Sequence, residues 1–584
     1  MNRVMAAALV LLIGCQEQQG EGGVDDDAMA ALQEGSPQGI TPNTRERRED
    51  ARNNREEVEP DTPQLNVRSY DGSGNNREDM VRGASFAHLE RLTFADYGDG
   101  VSSPAGSARP SARAVSNAVA HQEEGVSLPN PFSATDFVWQ WGQFIDHDIG
   151  LTDGTEEVFD IVVPPNDPDF DPFGTGEELI GFHRALFDED TGSSSSNPRE
   201  QENEISAWID GSMVYGSSLE RATALRDGAF LRMSDDGLLP LNSGNLANAN
   251  GPVGDPTSLF LAGDVRANEQ VGLTVMHTLF VREHNRLVRM MLDENPTMTA
   301  DQAFEEARKL VIAEIQVITF NEFLPALIGP NTLPDYEGYN PSAHPGLFNE
   351  FSVAAFRLGH TLVNNQLLRV DAEGRVLGEL TLFDAFFSAP RILTNGRDIE
   401  PILRGLATQL HQTADPKIVN DLRNMLFGPP GAGGLDLAAL NVQRGRDHGV
   451  PSYNDVRDAL GFGRAGDFSE ITTDIERQAQ LASVYDSVDD IDLWVGGLSE
   501  DPLVESGSQF GRLFTEIVSF QFNALREADR YWYRRDLDSD QVSWVEGIRL
   551  SDVIRANTSI GREIGDDVFH RRARPGQGSE TGGP

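Results

Sequence analysis

The chain has 584 residues and a net charge of −46, from 93 acidic and 47 basic side chains. That balance excludes nucleic acid as a partner, because phosphates need Lys and Arg, and it opposes electrostatic docking on anionic lipid. Hydrophobic residues at 39% and charged residues at 24% supply a large soluble core.

At the N-terminus Arg3 gives a short positive start, and residues 4–13 form an apolar run too short to span a bilayer as a mature helix. The run ends in Leu12-Ile13-Gly14-Cys15, and Cys15 is the only cysteine. This segment resembles a bacterial lipoprotein signal with its lipobox. The resemblance implies cleavage before Cys15, a lipid on its sulfur and export to the envelope. Gln16 in place of Asp suggests the outer membrane. The competing reading is an ordinary secretory signal and a secreted protein. No other stretch reads as a membrane span, so membrane contact is expected through the N-terminal lipid alone. The mature fold has no disulfide and must rely on its core.

Residues 16–64 are polar and acidic with almost no aromatic side chains, which predicts a disordered tether. Residues 65–570 read as one large, mainly α-helical catalytic domain with little β structure, and 571–584 as a polar, Gly-rich tail. Apolar periodicity predicts helices over 134–149, 273–292, 299–324, 350–363 and 508–530. In the third, Glu305, Glu306, Arg308 and Lys309 mark a solvated face. Long Pro/Gly/Asp loops, such as 163–176 and 188–198, separate the helices.

Four clusters carry the chemistry. The first is WGQFIDHD, from Trp141 to Asp148. Gln143 precedes Asp146 by three residues and His147 by four, so the three share one helix face, with Asp148 on a neighbouring face. A lone histidine there would read as a satisfied core residue, but the downstream clusters change the odds. In the second, Ser206, Asp210 and Ser212 bring hard oxygens into one short loop. The carbonyl of Trp208 and the carboxylate of Asp148 extend the set toward the six to eight oxygens that Ca²⁺ takes. An Asp/Ser-rich turn is the bland alternative.

The third cluster places Arg266 and Glu269 three apart before a helix. This is either a surface ion pair of little value or a permanent cation serving His147. His277 and His284 follow seven residues apart, without zinc-protease spacing, and read as structural. In the fourth, Gly359 precedes His360 and lets a flat cofactor approach. His360 is a candidate axial ligand, Arg357 a partner for a cofactor carboxylate, and Asn441 an acceptor for the ring N–H of His360.

With these motifs in order, the chain resembles the animal haem peroxidase family, which includes myeloperoxidase, lactoperoxidase and peroxidasin. The likeness spans roughly residues 68–569 and also rests on RSYDGSGNN, ARAVSNAV, PPNDP, SAWIDGSMVYGSS, LAGDVRANE, REHNRL, AFRLGHTL, ALNVQRGRDHG and DRYWY. It implies a single large helical domain with haem b between central helices. It implies His147 as distal histidine, Gln143 as distal donor, Arg266 as distal arginine and His360 as proximal ligand of the haem iron, supported by Asn441. It further implies haem esters through Asp146 and Glu269, and calcium at Asp148, Ser206, the Trp208 carbonyl, Asp210 and Ser212. The implied reaction reduces hydrogen peroxide and leaves a ferryl haem that oxidises a small donor, either halide or thiocyanate or a phenol.

The chain departs from the family pattern at Gln270, where myeloperoxidase has a methionine bonded to haem. It also lacks the mammalian disulfides and has Ser206 where threonine is more usual. A fatty-acid dioxygenase of the same superfamily would carry a tyrosine three residues before the proximal histidine; here Arg357 stands there. A non-catalytic surface adhesion protein with a peroxidase fold is the other rival, opposed by the presence of His147, Arg266 and His360 together. The donor and the oligomeric state are left open.

Overall fold

A computed structural model describes residues 67–571. The expected signal and lipobox ending at Cys15, the tether over 16–64 and the tail beyond Arg571 lie outside the described residues.

Helices build the core; among the described residues strands form only two-stranded antiparallel ribbons. The elements that position the site are α1 (Ala112–Val119), α2 (Phe137–Ile149), α3 (Val271–Glu294), α4 (Ala300–Ile318), α5 (Gly359–Leu362), α6 (Leu437–Asp447) and α7 (Arg512–Ala528). The apolar stripe of α2, made by Phe137, Trp141, Phe144 and Ile145, is fully buried. Trp141 and Phe144 meet Phe280 of α3 with ring centroids 5.7 and 5.3 Å apart. Aromatic packing thus locks α2 against α3, and truncating one such ring to alanine costs about 3–5 kcal/mol.

Two expectations change in the third helix. Thr299 and Gln302 form a capping box that starts α4 as expected. Arg308, however, is buried rather than solvated. Its guanidinium lies 4.3 Å over the Tyr70 ring and donates to the carbonyls of Arg68 at 2.9 Å and Ser69 at 3.2 Å. Those partners arrive from far away in sequence, which helical periodicity cannot reveal. Beyond α4 a π turn, Thr319–Phe323, leads into the helix Leu324–Ile328. By length and composition the run Ala300–Ile328 is apolar enough to cross a membrane, contrary to expectation, but 83% of its most apolar window is buried in the fold. It is a core helix.

The continuous helix expected over 350–363 is broken. A π turn (Phe351–Ala355) passes into a 3-10 turn (Phe356–Leu358) and then into the single turn of α5. Phe351 stacks on Phe356 at 4.7 Å across the junction. Widening and then tightening the winding re-aims the side chains of Arg357 and His360, and such irregular turns recur at functional sites.

Arg113 of α1 is fully buried and ties distant segments together. It donates to both oxygens of Asp167 (2.7 and 3.0 Å) and to Asp436 (2.7 Å). Asp436 also caps α6 by accepting the Ala439 N–H at 3.0 Å. The start of α6, the helix that carries Asn441, is therefore fixed by a buried ion network, in which loss of one partner costs about 3–5 kcal/mol.

Candidate active site

One cavity lies between α2, the loop entering α3, the broken segment before α5, and α6. Its walls include Gln143, Asp146, His147, Arg266, Glu269, Arg357, Gly359, His360 and Arg444. Residues from three of the four sequence clusters therefore meet in one space.

His147 is 4% exposed. Its Nε2 lies 3.9 Å from Glu269 Oε2, and its Nδ1 lies 3.4 Å from Asp264 Oδ1. Burial, reinforced by the nearby Arg266 cation, pushes its pKa well below the ordinary imidazole value, so the ring is neutral. Arg266 does not pair with Glu269. It is held by Asp264 through Nε and Nη2, both at 2.9 Å. Burial opposes both charges, but their mutual attraction wins: the Asp264 carboxyl is held below the usual carboxylate range and the guanidinium above its own. Gln143 donates from Nε2 to Glu269 Oε2 at 3.0 Å. Burial raises Glu269 to about 7 and also raises Asp146, the latter against the pull of Arg266 and Arg357.

On the facing wall, His360 Nδ1 abuts the side-chain amide of Asn441, 3.2 Å from Oδ1 and 3.0 Å from Nδ2. Burial, and then Arg357, lowers His360 to about 3, leaving a neutral ring. Arg357 donates from Nε to the Ser352 carbonyl at 3.1 Å and makes no salt bridge among the described residues. Arg444, nearly fully buried, keeps Nε and Nη2 without hydrogen-bond partners among the described residues. A Cβ built on Gly359 would meet nothing within 4 Å, so this wall is open where the cavity begins.

The remaining set, the second cluster, gathers beside α2. Asp148 Oδ1 and its backbone oxygen accept from Ser212 Oγ at 3.0 and 2.8 Å, and Asp210 Oδ2 accepts from Ser206 Oγ at 2.7 Å. Trp208 lies between them in the loop, its indole N–H donating to the Gly72 carbonyl at 3.1 Å. Burial raises the pKa of both Asp148 and Asp210, and Asp210 raises Asp148 further by like-charge repulsion. Among the described residues no three His, Cys, Asp or Glu side chains cluster as a metal site. This set has two carboxylates and depends on hydroxyl and carbonyl oxygens for the rest. His277 Nδ1 meets the Met213 carbonyl at 2.9 Å, and His284 lies between Tyr215 Oη (3.0 Å) and the Ala229 carbonyl (3.2 Å).

Sequence reasoning missed Asp264 and Arg444. Both lie inside quoted motifs, LAGDVRANE and ALNVQRGRDHG, but their partners are visible only in three dimensions. It also treated Gln270 only as a missing methionine.

A family model described as animal haem peroxidase matches residues 67–569. The chain belongs to that family. It is 34% identical over 519 residues to peroxinectin A of Dictyostelium discoideum, covering 86% of this chain and 96% of the relative. It is 34% identical over 535 residues to dual oxidase of Drosophila melanogaster, covering 87% of this chain but 34% of that relative, so it spans about a third of that protein's length. The solved structure of peroxidase A from Dictyostelium discoideum superposes with a TM-score of 0.81 at 34% identity, covering 87% of this chain and all of that one. Rice (Oryza sativa) fatty acid alpha-dioxygenase shares the fold, with a TM-score of 0.73 at 20% identity, covering 86% of this chain and 87% of that one. Membership places this animal haem peroxidase among oxidoreductases that act on peroxide, and the family implies haem and calcium.

The residues present fit both groups. Unpartnered N–H groups on Arg357 and Arg444 suit cofactor carboxylates, the neutral His360 suits iron, and the open space at Gly359 suits a flat ring. Two buried carboxylates ringed by hydroxyls suit a hard cation.

Proposed function

We propose that this animal haem peroxidase family member reduces hydrogen peroxide and oxidises small donors at the cavity between His147 and His360. The observation that carries the reading is the pairing across that cavity. A neutral imidazole beside a carboxylate-locked arginine faces a second neutral imidazole backed by an amide.

His360 would hold the haem iron through Nε2, with Asn441 against Nδ1 to orient the ring. Arg357 and Arg444 would take the haem carboxylates, and Asp146 and Glu269 would supply its ester links. Bound haem supplies the iron at which the O–O bond is cleaved and the oxidising equivalents are stored. His147 takes the peroxide proton at Nε2 and returns it to the departing oxygen, which requires the neutral form that burial provides. Arg266 offers fixed positive charge to that oxygen. Asp148, Ser206, the Trp208 carbonyl, Asp210 and Ser212 would bind Ca²⁺ and pin the end of α2 beside His147.

The aromatic part of the cavity wall favours a phenol as donor. Phe386 and Phe427 line it, with ring centroids 5.0 Å apart and edge-to-face. Phe427 adopts φ 63°, a strained backbone for a bulky residue. A ring-bearing donor can join such a pair, whereas a halide gains nothing from it. Arg357 in place of a radical-forming tyrosine opposes fatty-acid dioxygenation. The lipobox at Cys15 supports export and a lipid anchor in the envelope; radiolabelled palmitate on the wild-type chain and none on Cys15→Ser is the expected result.

The deciding measurement for the peroxidase reading is the absorption spectrum of the purified protein before and after stoichiometric peroxide. A haem Soret band should shift and then return when a phenol is added. A protein that takes up no haem when supplied, or a band indifferent to peroxide, overturns the reading in favour of a binding protein.

A further inference from the structure

Gln270 does more than end a loop. It is the N-cap of α3, extended at φ −148°, and its backbone bridges antiparallel to Phe386. Its Oε1 accepts the Gly272 N–H at 2.6 Å. A backbone N–H can only donate, so that end of the amide must be the oxygen. Nε2 therefore faces the other way and donates to Gln140 Oε1 at 2.7 Å and to Gln143 Oε1 at 3.0 Å. With its carbonyl engaged, Gln143 must turn its own Nε2 outward, where it meets Glu269 Oε2 at 3.0 Å. One backbone N–H thus sets the direction of every amide up to a carboxylate on the cavity wall.

Gly272 gives independent support. A Cβ there would lie 2.4 Å from Gln140 Oε1 and 2.8 Å from Gln270 Oε1. The start of α3 has room for the two amides only because this residue has no side chain. Capping alone would explain the bond to Gly272, but not the reach of Nε2 to Gln140 and Gln143. Gln140 is fully buried and Gln270 is 4% exposed, so the direction of these bonds is not averaged by water.

We propose that Gln270 is a positioning residue of the distal wall: it holds the Gln143 amide with its NH2 toward Glu269 and thereby keeps that carboxyl at the cavity edge. The inference rests on the peroxidase reading, in which Gln143 and Glu269 face haem.

The test uses the haem-loaded, full-length enzyme. Gln270→Ser keeps a capping oxygen but cannot reach Gln143; Gln270→Leu loses both roles. For Gln270→Ser the melting temperature should fall by less than for Gln270→Leu, because the cap is kept. Its ferric Soret band should move, the haem retained after acid extraction should fall, and reaction with peroxide should slow about three- to tenfold, the worth of one hydrogen bond. Gln270→Leu should show the same pocket changes and also melt lower. Gly272→Ala should reproduce the pocket changes with Gln270 intact. If wild type takes up haem and reacts with peroxide while Gln270→Ser matches it in Soret position, haem retention and rate, Gln270 is a helix cap only and the inference alone is overturned. If wild type does neither, the peroxidase reading falls and the inference falls with it.

Discussion

Asp264 grips Arg266 at two points, Oδ1 on Nε and Oδ2 on Nη2, while the same Oδ1 lies 3.4 Å from His147 Nδ1. One buried carboxylate therefore lies against both the guanidinium and the imidazole on this wall of the cavity. It aims the guanidinium and lies close to Nδ1, which makes no hydrogen bond among the described residues, while Nε2 lies 3.9 Å from Glu269 Oε2. Its own backbone is anchored, since the Asp264 N–H donates to the Met213 carbonyl in the helical turn Ser212–Tyr215.

Removing the charge but not the shape tests that arrangement. Asp264→Asn should bind haem normally yet react with peroxide roughly a hundredfold more slowly, the scale of losing one aligned transition-state donor. Stopped-flow mixing at the Soret band measures this. A rate within twofold of wild type would remove Asp264 from the mechanism.

Calcium should stabilise the fold and the distal helix together. Asp148 and Asp210 are buried, and each resists ionising without a cation. Chelation should lower the melting temperature, and added Ca²⁺ should restore it; at about a hundred times its Kd a ligand contributes roughly 2.7 kcal/mol. Elemental analysis finding no calcium, with a Tm indifferent to both treatments, contradicts the assignment.

The Phe386–Phe427 pair makes a prediction about donors. Phe427→Ala should raise KM for a phenol about two- to tenfold, since aromatic pairs are worth about 0.5–1.5 kcal/mol. The peroxide step and iodide oxidation should be unchanged. A loss shared equally by phenol and iodide would mean that the substitution damaged the pocket as a whole.

Glu322 should shape the dependence of stability on pH. It lies in the π turn after α4, accepts the Leu550 N–H at 2.8 Å, and burial raises its pKa from 4.5 to about 7. The folded state therefore holds a proton that the unfolded chain releases between those two values. Its contribution to stability is fully present below about 4.5 and is lost as pH rises to about 7. Glu322→Gln keeps the acceptor oxygen and cannot ionise. The variant should gain on wild type as pH climbs through that window and hold the gain above it, as read from paired thermal melts. A constant difference from pH 4.5 to 8 would show that Glu322 does not titrate there.

Much of this protein was legible in its sequence because the signals are local. The α2 motif reads directly, since spacings of three and four place Gln143, Asp146 and His147 on one face whatever surrounds them. The apolar stripes of α3, α4 and α7 likewise report burial at a fixed period. The pairings across the cavity were legible only through the family resemblance, because His147 and His360 share no local pattern.

Tertiary structure alone decided the rest. Arg266 pairs with Asp264 and not Glu269, because the loop before α3 bends the nearer carboxylate onto the guanidinium. Arg308 is buried because the chain at Arg68 and Ser69 returns to cover it. The segment before His360 abandons regular winding to suit contacts such as Phe351 on Phe356. Gln270 acquires a direction only when Gly272 brings a backbone N–H to it. In each case the deciding partner is remote in sequence, or lies at an angle that helical period does not specify, and the choice between competing partners is made by burial, where an unpaired polar group is most costly.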